Sequence, residues 1–147
     1  MKVIALALCA FVATTSAKGL SLTGYVGGST PWSDMDALPA WSVHALWRID
    51  QMVSAGVGAG YMTLPGTDVV ETSSRLQVRL PLGKQLMPFL EGEAGVGVRP
   101  VLIESLFTWR FGGGLDLKLG DRSSLLFGGG TQARGRAYGR IGLLLEL

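Results

Sequence analysis

Tyr138-Gly139-Arg140-Ile141-Gly142-Leu143-Leu144-Leu145-Glu146-Leu147 splits into two unlike faces when every second residue is taken. Gly139, Ile141, Leu143, Leu145 and Leu147 carry no polar side chain, whereas Tyr138, Arg140, Gly142, Leu144 and Glu146 hold all the charge. A period of two is that of a strand, whose successive side chains point to opposite faces of a sheet. Ten strand residues rise about 33 Å, or roughly 25 Å along the normal at a tilt near 40°, the height of a membrane barrel's apolar band.

The same alternation recurs upstream and predicts eight strands. The first covers Leu20 to Val26, with Leu20, Leu22, Gly24 and Val26 against Ser21, Thr23 and Tyr25. The second, Trp41 to Asp50, sets Trp41, Val43, Ala45, Trp47 and Ile49 against Ser42, His44, Leu46, Arg48 and Asp50. In the third, Val53 to Met62, the apolar members alternate with Gly56, Gly58 and Gly60. The fourth runs from Arg75 to Leu82 and turns at Gly83-Lys84 into the fifth, Gln85 to Val98, which carries Glu91 and Glu93 on one face. The sixth spans Phe107 to Leu119, with Arg110, Asp116 and Lys118 on its polar face, and the seventh Ser124 to Gly130. Longer loops are expected over residues 27–40 and 63–73, with shorter ones over 99–105 and 132–136. Their Gly, Pro, Ser and Asp residues favour turns.

Composition narrows the classes. The 147 residues suit one domain; 48% are hydrophobic and only 16% charged, below the roughly 25% of soluble domains. No apolar run reaches the roughly 18 residues of a membrane helix. A net charge of +2, with the basic residues scattered, gives no ground for nucleic-acid binding. Residues 1–17 read as an export signal: Lys2 begins it, Val3 to Ala13 form a short apolar core, and Thr15-Ser16-Ala17 offers a cleavage site before Lys18. Residues 18–147 are then the mature domain. Cys9 is the single cysteine, so the mature chain has no thiol for a disulfide or a metal.

Two patterns carry a resemblance. Arg140-x-Gly142-x-x-Leu145-x-Leu147 resembles the C-terminal sorting signal of bacterial outer-membrane barrels, except that such signals usually end in an aromatic residue. The parity of Pro88 to Gly97 and of Phe111 to Leu119 is similar to that of the small OmpA/OmpX-type barrels. The resemblance implies an all-β, eight-stranded antiparallel up-and-down barrel in the outer membrane, placed there by the barrel-insertion machinery and surrounded by outer-membrane lipid. It also implies that both chain ends lie at the periplasmic side, with longer loops outside.

A soluble, lipocalin-like barrel has the same alternation turned inside out. Three features favour the membrane. The charged face also carries glycines that leave room in a narrow lumen. Trp41, Tyr61, Phe107 and Trp109 fall on the apolar parity near the loop ends, with Trp47 towards the other rim, as an interfacial girdle would. No charge falls on the apolar parity of the predicted strands, and one at mid-membrane would cost roughly 2–4 kcal/mol.

The inward charges, Arg48, Asp50, Arg75, Arg79, Glu91, Glu93, Arg110, Asp116, Lys118, Arg140 and Glu146, nearly balance. Eight strands enclose a lumen that side chains fill, so a plug of paired charges is expected rather than a pore. Glu91 and Glu93 have acid–base spacing, and His44 beside Ser42 invites a hydrolase reading, but no triad can be completed from the sequence. No catalytic, cofactor or metal site is predicted. The expected role is structural or surface-binding, with an outer-membrane lipid-modifying enzyme and a periplasmic binding barrel as alternatives.

Overall fold

The computed structural model describes residues 19–31, 38–64, 66–100 and 104–147. The proposed export signal and Trp32 lie outside them. Eight strands follow one another: β1 (Leu20–Pro31), β2 (Leu38–Arg48), β3 (Val53–Leu64), β4 (Thr67–Arg79), β5 (Leu86–Arg99), β6 (Glu104–Lys118), β7 (Ser123–Gln132) and β8 (Arg136–Glu146). Each pairs antiparallel with its sequence neighbours, and β8 returns to β1 to close the barrel. The closing register runs from Ser21 opposite Glu146 to Pro31 opposite Arg136. Leu147 N–H donates to Leu20 C=O at 2.9 Å, so the start of β1 and the end of β8 share one rim, the terminal end. Closure leaves no long free edge, as a barrel in lipid requires.

The expected strand number and order hold, but several bounds move. Thr67 to Ser73, assigned to a loop from the sequence, form with Ser74 the first half of β4, paired throughout with β3. There Val69, Glu71 and Ser73 point inward while Val70, Thr72 and Ser74 point outward, so both faces mix apolar and polar residues and the alternation disappears. Asp68 thereby joins the outward parity, but it is exposed at the strand's far tip. Strand β1 reaches Pro31, β2 begins at Leu38, and Arg136 and Ala137 belong to β8. The far-end connections shrink to residues 32–37, 65–66, 100–103 and 133–135. At the terminal end the expected two-residue turn at Gly83-Lys84 is a wider connection over residues 80–85. The anticipated contrast of short turns and long outer loops is therefore absent.

Burial follows parity. Val26, Val43, Leu76, Leu90, Val96, Phe111 and Leu143 stand exposed on the outside. Ser42, His44, Arg75, Gln77, Glu91, Glu93 and Asp116 are buried inside. A soluble ligand-binding barrel would have the opposite polarity, so that alternative falls.

Candidate functional site

The lumen is stacked in layers, each set by strand register. The middle layer is ionic. Register places Arg75 opposite Glu93, Gln77 opposite Glu91, and Glu93 opposite Arg110. Glu91 lies between Arg75 and Arg140, pairing closely with both, and accepts from Tyr138 Oη at 2.9 Å. Glu93 Oε1 accepts from Ser73 Oγ at 2.7 Å and Arg110 Nη1 at 2.8 Å, and lies 3.2 Å from His44 Nε2. Arg110 also pairs closely with Glu71. The Arg75 and Arg140 guanidinium carbons lie 4.7 and 4.1 Å from the centre of the Tyr25 ring, and Arg75 donates to its hydroxyl at 2.6 Å. Such sharing is what buried charges require, since an unpaired one costs several kcal/mol.

Toward the terminal end, Tyr25, Phe89, Leu126 and Leu144 form an apolar layer, and Leu46 is equally buried. Arg79 and Asp116 approach to 3.3 Å nearby. Arg48 and Glu146 pair at the rim, both partly exposed. At the far end, one side of the lumen is apolar, with Met62, Leu64 and Val69 packed against Ala40 and Leu106. The other side is polar: Arg110 Nε donates to Gln132 Oε1 at 3.3 Å, and Arg136 donates to the Ser29 carbonyl at 2.9 Å and its hydroxyl at 3.3 Å.

Of the charges that the sequence assigned to the lumen, Arg75, Arg79, Glu91, Glu93, Arg110, Asp116 and Arg140 are the ones brought inside. Arg48, Glu146 and Lys118 lie at the terminal rim, Lys118 exposed. Asp50 leaves the lumen altogether and caps the β2–β3 turn, accepting from Met52 and Val53 N–H, both at 2.7 Å. Sequence reasoning missed Glu71 and Arg136, which sat in supposed loops. It also gave no role to Tyr25, Tyr138, Leu46 and Leu144, although their parity already turned them inward.

His44 is 1% exposed, and its Nδ1 has no hydrogen-bond partner among the described residues. Gly58 faces it across the β2–β3 pair, where an added Cβ would overlap the imidazole ring. Ser42 stays on the same inner face, but no hydrogen bond joins it to His44 among the described residues. Among those residues no cluster of three or more His, Cys, Asp or Glu side chains offers a metal site.

On the outside, Trp41 stacks on its cross-strand partner Tyr61, ring centres 6.2 Å apart, near the far end. Phe107 is 69% exposed and Trp109 39%, whereas Trp47, on the same parity, is only 9% exposed. Gly24 leaves an apolar groove of about 610 Å³ between Val26, Trp41, Val43, Ile141 and Leu143. In the C-terminal pattern, Arg140 reaches into the ionic layer and Leu145 and Leu147 point outward. A Cβ on Gly142 would come within 2.6 Å of the Tyr25 ring, so its place in that pattern also serves lumen packing.

A closed eight-stranded barrel with an apolar outside and an ionic inside is a transmembrane β-barrel of the outer-membrane class. No family model and no curated protein matches the sequence. Solved structures match the fold. The neisserial surface protein A aligns over 90% of this chain and 98% of its own at 10% identity, with a TM-score of 0.62. A de novo designed transmembrane β-barrel aligns over 88% and 97% at 15% identity, TM-score 0.60. The outer membrane enzyme PagL aligns over 86% and 99% at 14% identity, TM-score 0.55. A surface protein, an enzyme and a design share this architecture, so the likeness is one of fold and leaves activity to the site.

Proposed function

We propose that the protein is a non-enzymatic outer-membrane barrel with a closed lumen, serving a structural or surface-binding role. The observation that carries this reading is the layered plug. Phe89, Leu46, Leu126 and Leu144, each at most 2% exposed, underlie the network of Glu91, Glu93, Arg75, Arg110 and Arg140. An ion crossing the barrel would need to separate those pairs and then pass an apolar layer that offers no replacement for its water. Outside the lumen, the apolar face and its groove at Gly24 suit acyl chains of outer-membrane lipid, and the stacked Trp41 and Tyr61 suit a headgroup boundary.

Against a lipid-modifying enzyme stands the position of His44. Its Nε2 is engaged by Glu93, and the imidazole is sealed from both lipid and solvent. A general base must reach the proton it removes, within about 3 Å or through one water. The test has two arms. The purified monomer in planar bilayers should give no stable conductance steps; large, steady steps would overturn the closed lumen. Expressed in an outer membrane, wild-type protein and H44A should leave lipid composition alike. A lipid product formed by wild type and lost in H44A would replace this reading with the enzymatic one.

A further inference from the structure

The closed wall ends unevenly at the far mouth. Pairing between β5 and β6 continues up to Arg99 opposite Glu104, whereas pairing between β6 and β7 stops at Arg110 opposite Gln132. One further bond, from Ala133 N–H to Trp109 C=O at 2.9 Å, precedes the turn through Arg134 and Gly135, both with positive φ. Glu104 to Thr108 therefore pair with β5 alone among the described residues. Antiparallel strands send the backbone groups of alternate residues to opposite neighbours. Trp109 fixes the phase: odd-numbered residues of β6 turn toward β7, so Ser105 and Phe107 present N–H and C=O to a side where no described strand follows.

Such edges are usually blunted by a lysine, a proline or a bulge. The short stretch Glu104-Ser105-Leu106-Phe107-Thr108 has neither residue, its register with β5 is unbroken, and its one charge is taken up by Arg99 at 3.0 Å. Phe107, on the outward face, is 69% exposed. On the inward face Leu106 packs against Met62, Leu64 and Val69, and a half-open cavity of about 20 Å³ lies between them, Thr108 and the β7–β8 turn. Arg134, in the cavity wall, is exposed and has no carboxylate in pairing distance among the described residues. Unpaired backbone groups are too costly to stand in hydrocarbon, so this edge belongs on the water side of Trp109.

We propose that this edge docks an extended acidic peptide of a partner protein, which adds as one more strand beside Glu104 to Thr108. Main-chain bonds to Ser105 and Phe107 hold it, and pockets for its alternate side chains select it. Every second side chain of an added strand turns inward. There the cavity, larger than the roughly 10–15 Å³ that one water needs, takes a small apolar group. The outward side chains lie beside the exposed Phe107 ring, and a carboxylate at the lower end meets Arg134. The inference rests on the surface-binding part of the proposed role and supplies its partner class. It is independent of the closed lumen, because the added strand lies above the plug.

The test uses the folded barrel in phosphatidylcholine nanodiscs and a synthetic probe, the acetylated hexapeptide Val-Thr-Val-Thr-Val-Asp. Without peptide, the amides of Ser105 and Phe107 should exchange with solvent fast, and those of Leu106 and Thr108, turned toward β5, slowly. The probe should protect the first pair and shift their resonances saturably; its backbone N-methylated counterpart should not. Phe107→Pro deletes an edge donor without touching the β5 ladder and should weaken binding about fivefold or more. Phe107→Ala removes the ring alone and should weaken it less. Arg134→Gln should weaken the acidic probe about threefold and leave a probe ending in Lys unchanged, which keeps the test decisive if Phe107→Pro does not fold. Slow exchange at Ser105 and Phe107 in the peptide-free barrel would mean that lipid or the chain itself already covers the edge, and would overturn the proposal. So would a probe that never saturates, or one bound equally by wild type, Phe107→Pro and Arg134→Gln. Conductance is read separately on the same preparation, so failure here leaves the closed lumen standing.

Discussion

The two walls of the lumen are built on opposite principles. On β4 and β5 the inward positions carry large or charged groups: Arg75, Gln77, Arg79, Phe89, Glu91 and Glu93. On β6 and β7 the facing positions are Gly112, Gly114, Gly128 and Gly130, paired with one another across the strands. Phe89 lies opposite Gly114, which lies opposite Gly128, and a Cβ on Gly128 would already touch the Phe89 ring at 3.4 Å. Glu91 faces Gly112 in the same way, and a Cβ there would come within 2.5 Å of Tyr138 Oη, the hydroxyl that bonds Glu91. At the levels of Phe89 and Glu91 one wall supplies side chains and the other supplies the space for them, whereas Arg110 and Asp116 on β6 and Leu126 on β7 fill the levels beyond. An eight-stranded lumen is too narrow to be filled from both sides at once.

Breaking the filled wall should have the largest effect. Glu91→Ala leaves Arg75 and Arg140 buried without their shared carboxylate and removes the acceptor of Tyr138. Breaking a buried pair on one side costs about 3–5 kcal/mol, so urea unfolding in lipid vesicles should shift by that order. A loss below about 1 kcal/mol, the value of a surface pair, would mean that the lumen is wet enough to screen the two arginines.

Filling the empty wall should come next. At Gly114 an added Cβ would overlap the Phe127 carbonyl, which as paired backbone cannot turn aside. Gly114→Ala should destabilise by about 1–3 kcal/mol, the usual cost of overpacking. Gly139 sharpens the contrast. It faces outward on β8, with no neighbour within 4 Å of an added Cβ. Gly139→Ala should be neutral or stabilise by a few tenths to about 1 kcal/mol, through a less flexible unfolded chain. Equal effects at the two glycines would show that strand propensity, not lumen space, decides them.

This contrast also explains what the sequence discloses. A uniformly apolar outer face makes the period of two visible in β2, β6 and β8, and from it the strand number and most of the central charges follow. Along the first half of β4 that signal vanishes, because Val69 faces the lumen while Thr72 and Ser74 face out, and Glu71 was lost with it. Arg136 was hidden differently. It follows Arg134 and Gly135, both with positive φ, so a real turn stands beside it and looks longer in sequence than it is. Nor could parity say that Tyr25, Phe89, Leu126 and Leu144 meet, since that depends on the stagger between strands rather than on any one of them. Trp47 shows the same limit from outside: its parity matches that of Trp41, but its exposure does not.

The smallest effect is expected where the chain closes. Arg48 on β2 and Glu146 on β8 reach across the start of β1, where Arg48 N–H donates to Gly19 C=O at 2.8 Å. The pair looks like a clasp over the β1–β8 seam, but its side chains are 44% and 29% exposed, unlike the sealed Arg75–Glu91 pair. Water at that rim screens the attraction, and holding two long side chains together costs rotamer freedom. The seam itself is secured by the backbone ladder from Ser21–Glu146 to Pro31–Arg136, which no side-chain change removes. A double-mutant cycle with Arg48→Gln and Glu146→Gln should therefore give a coupling of only about 0–1 kcal/mol. It should shrink further as salt rises, since the screening length falls from about 10 Å at 0.1 M to 3 Å at 1 M. A salt-resistant coupling above about 2 kcal/mol, far beyond an exposed pair's range, would make the rim part of the buried network. The division between a charged core and a solvated edge would then have to be drawn one layer lower.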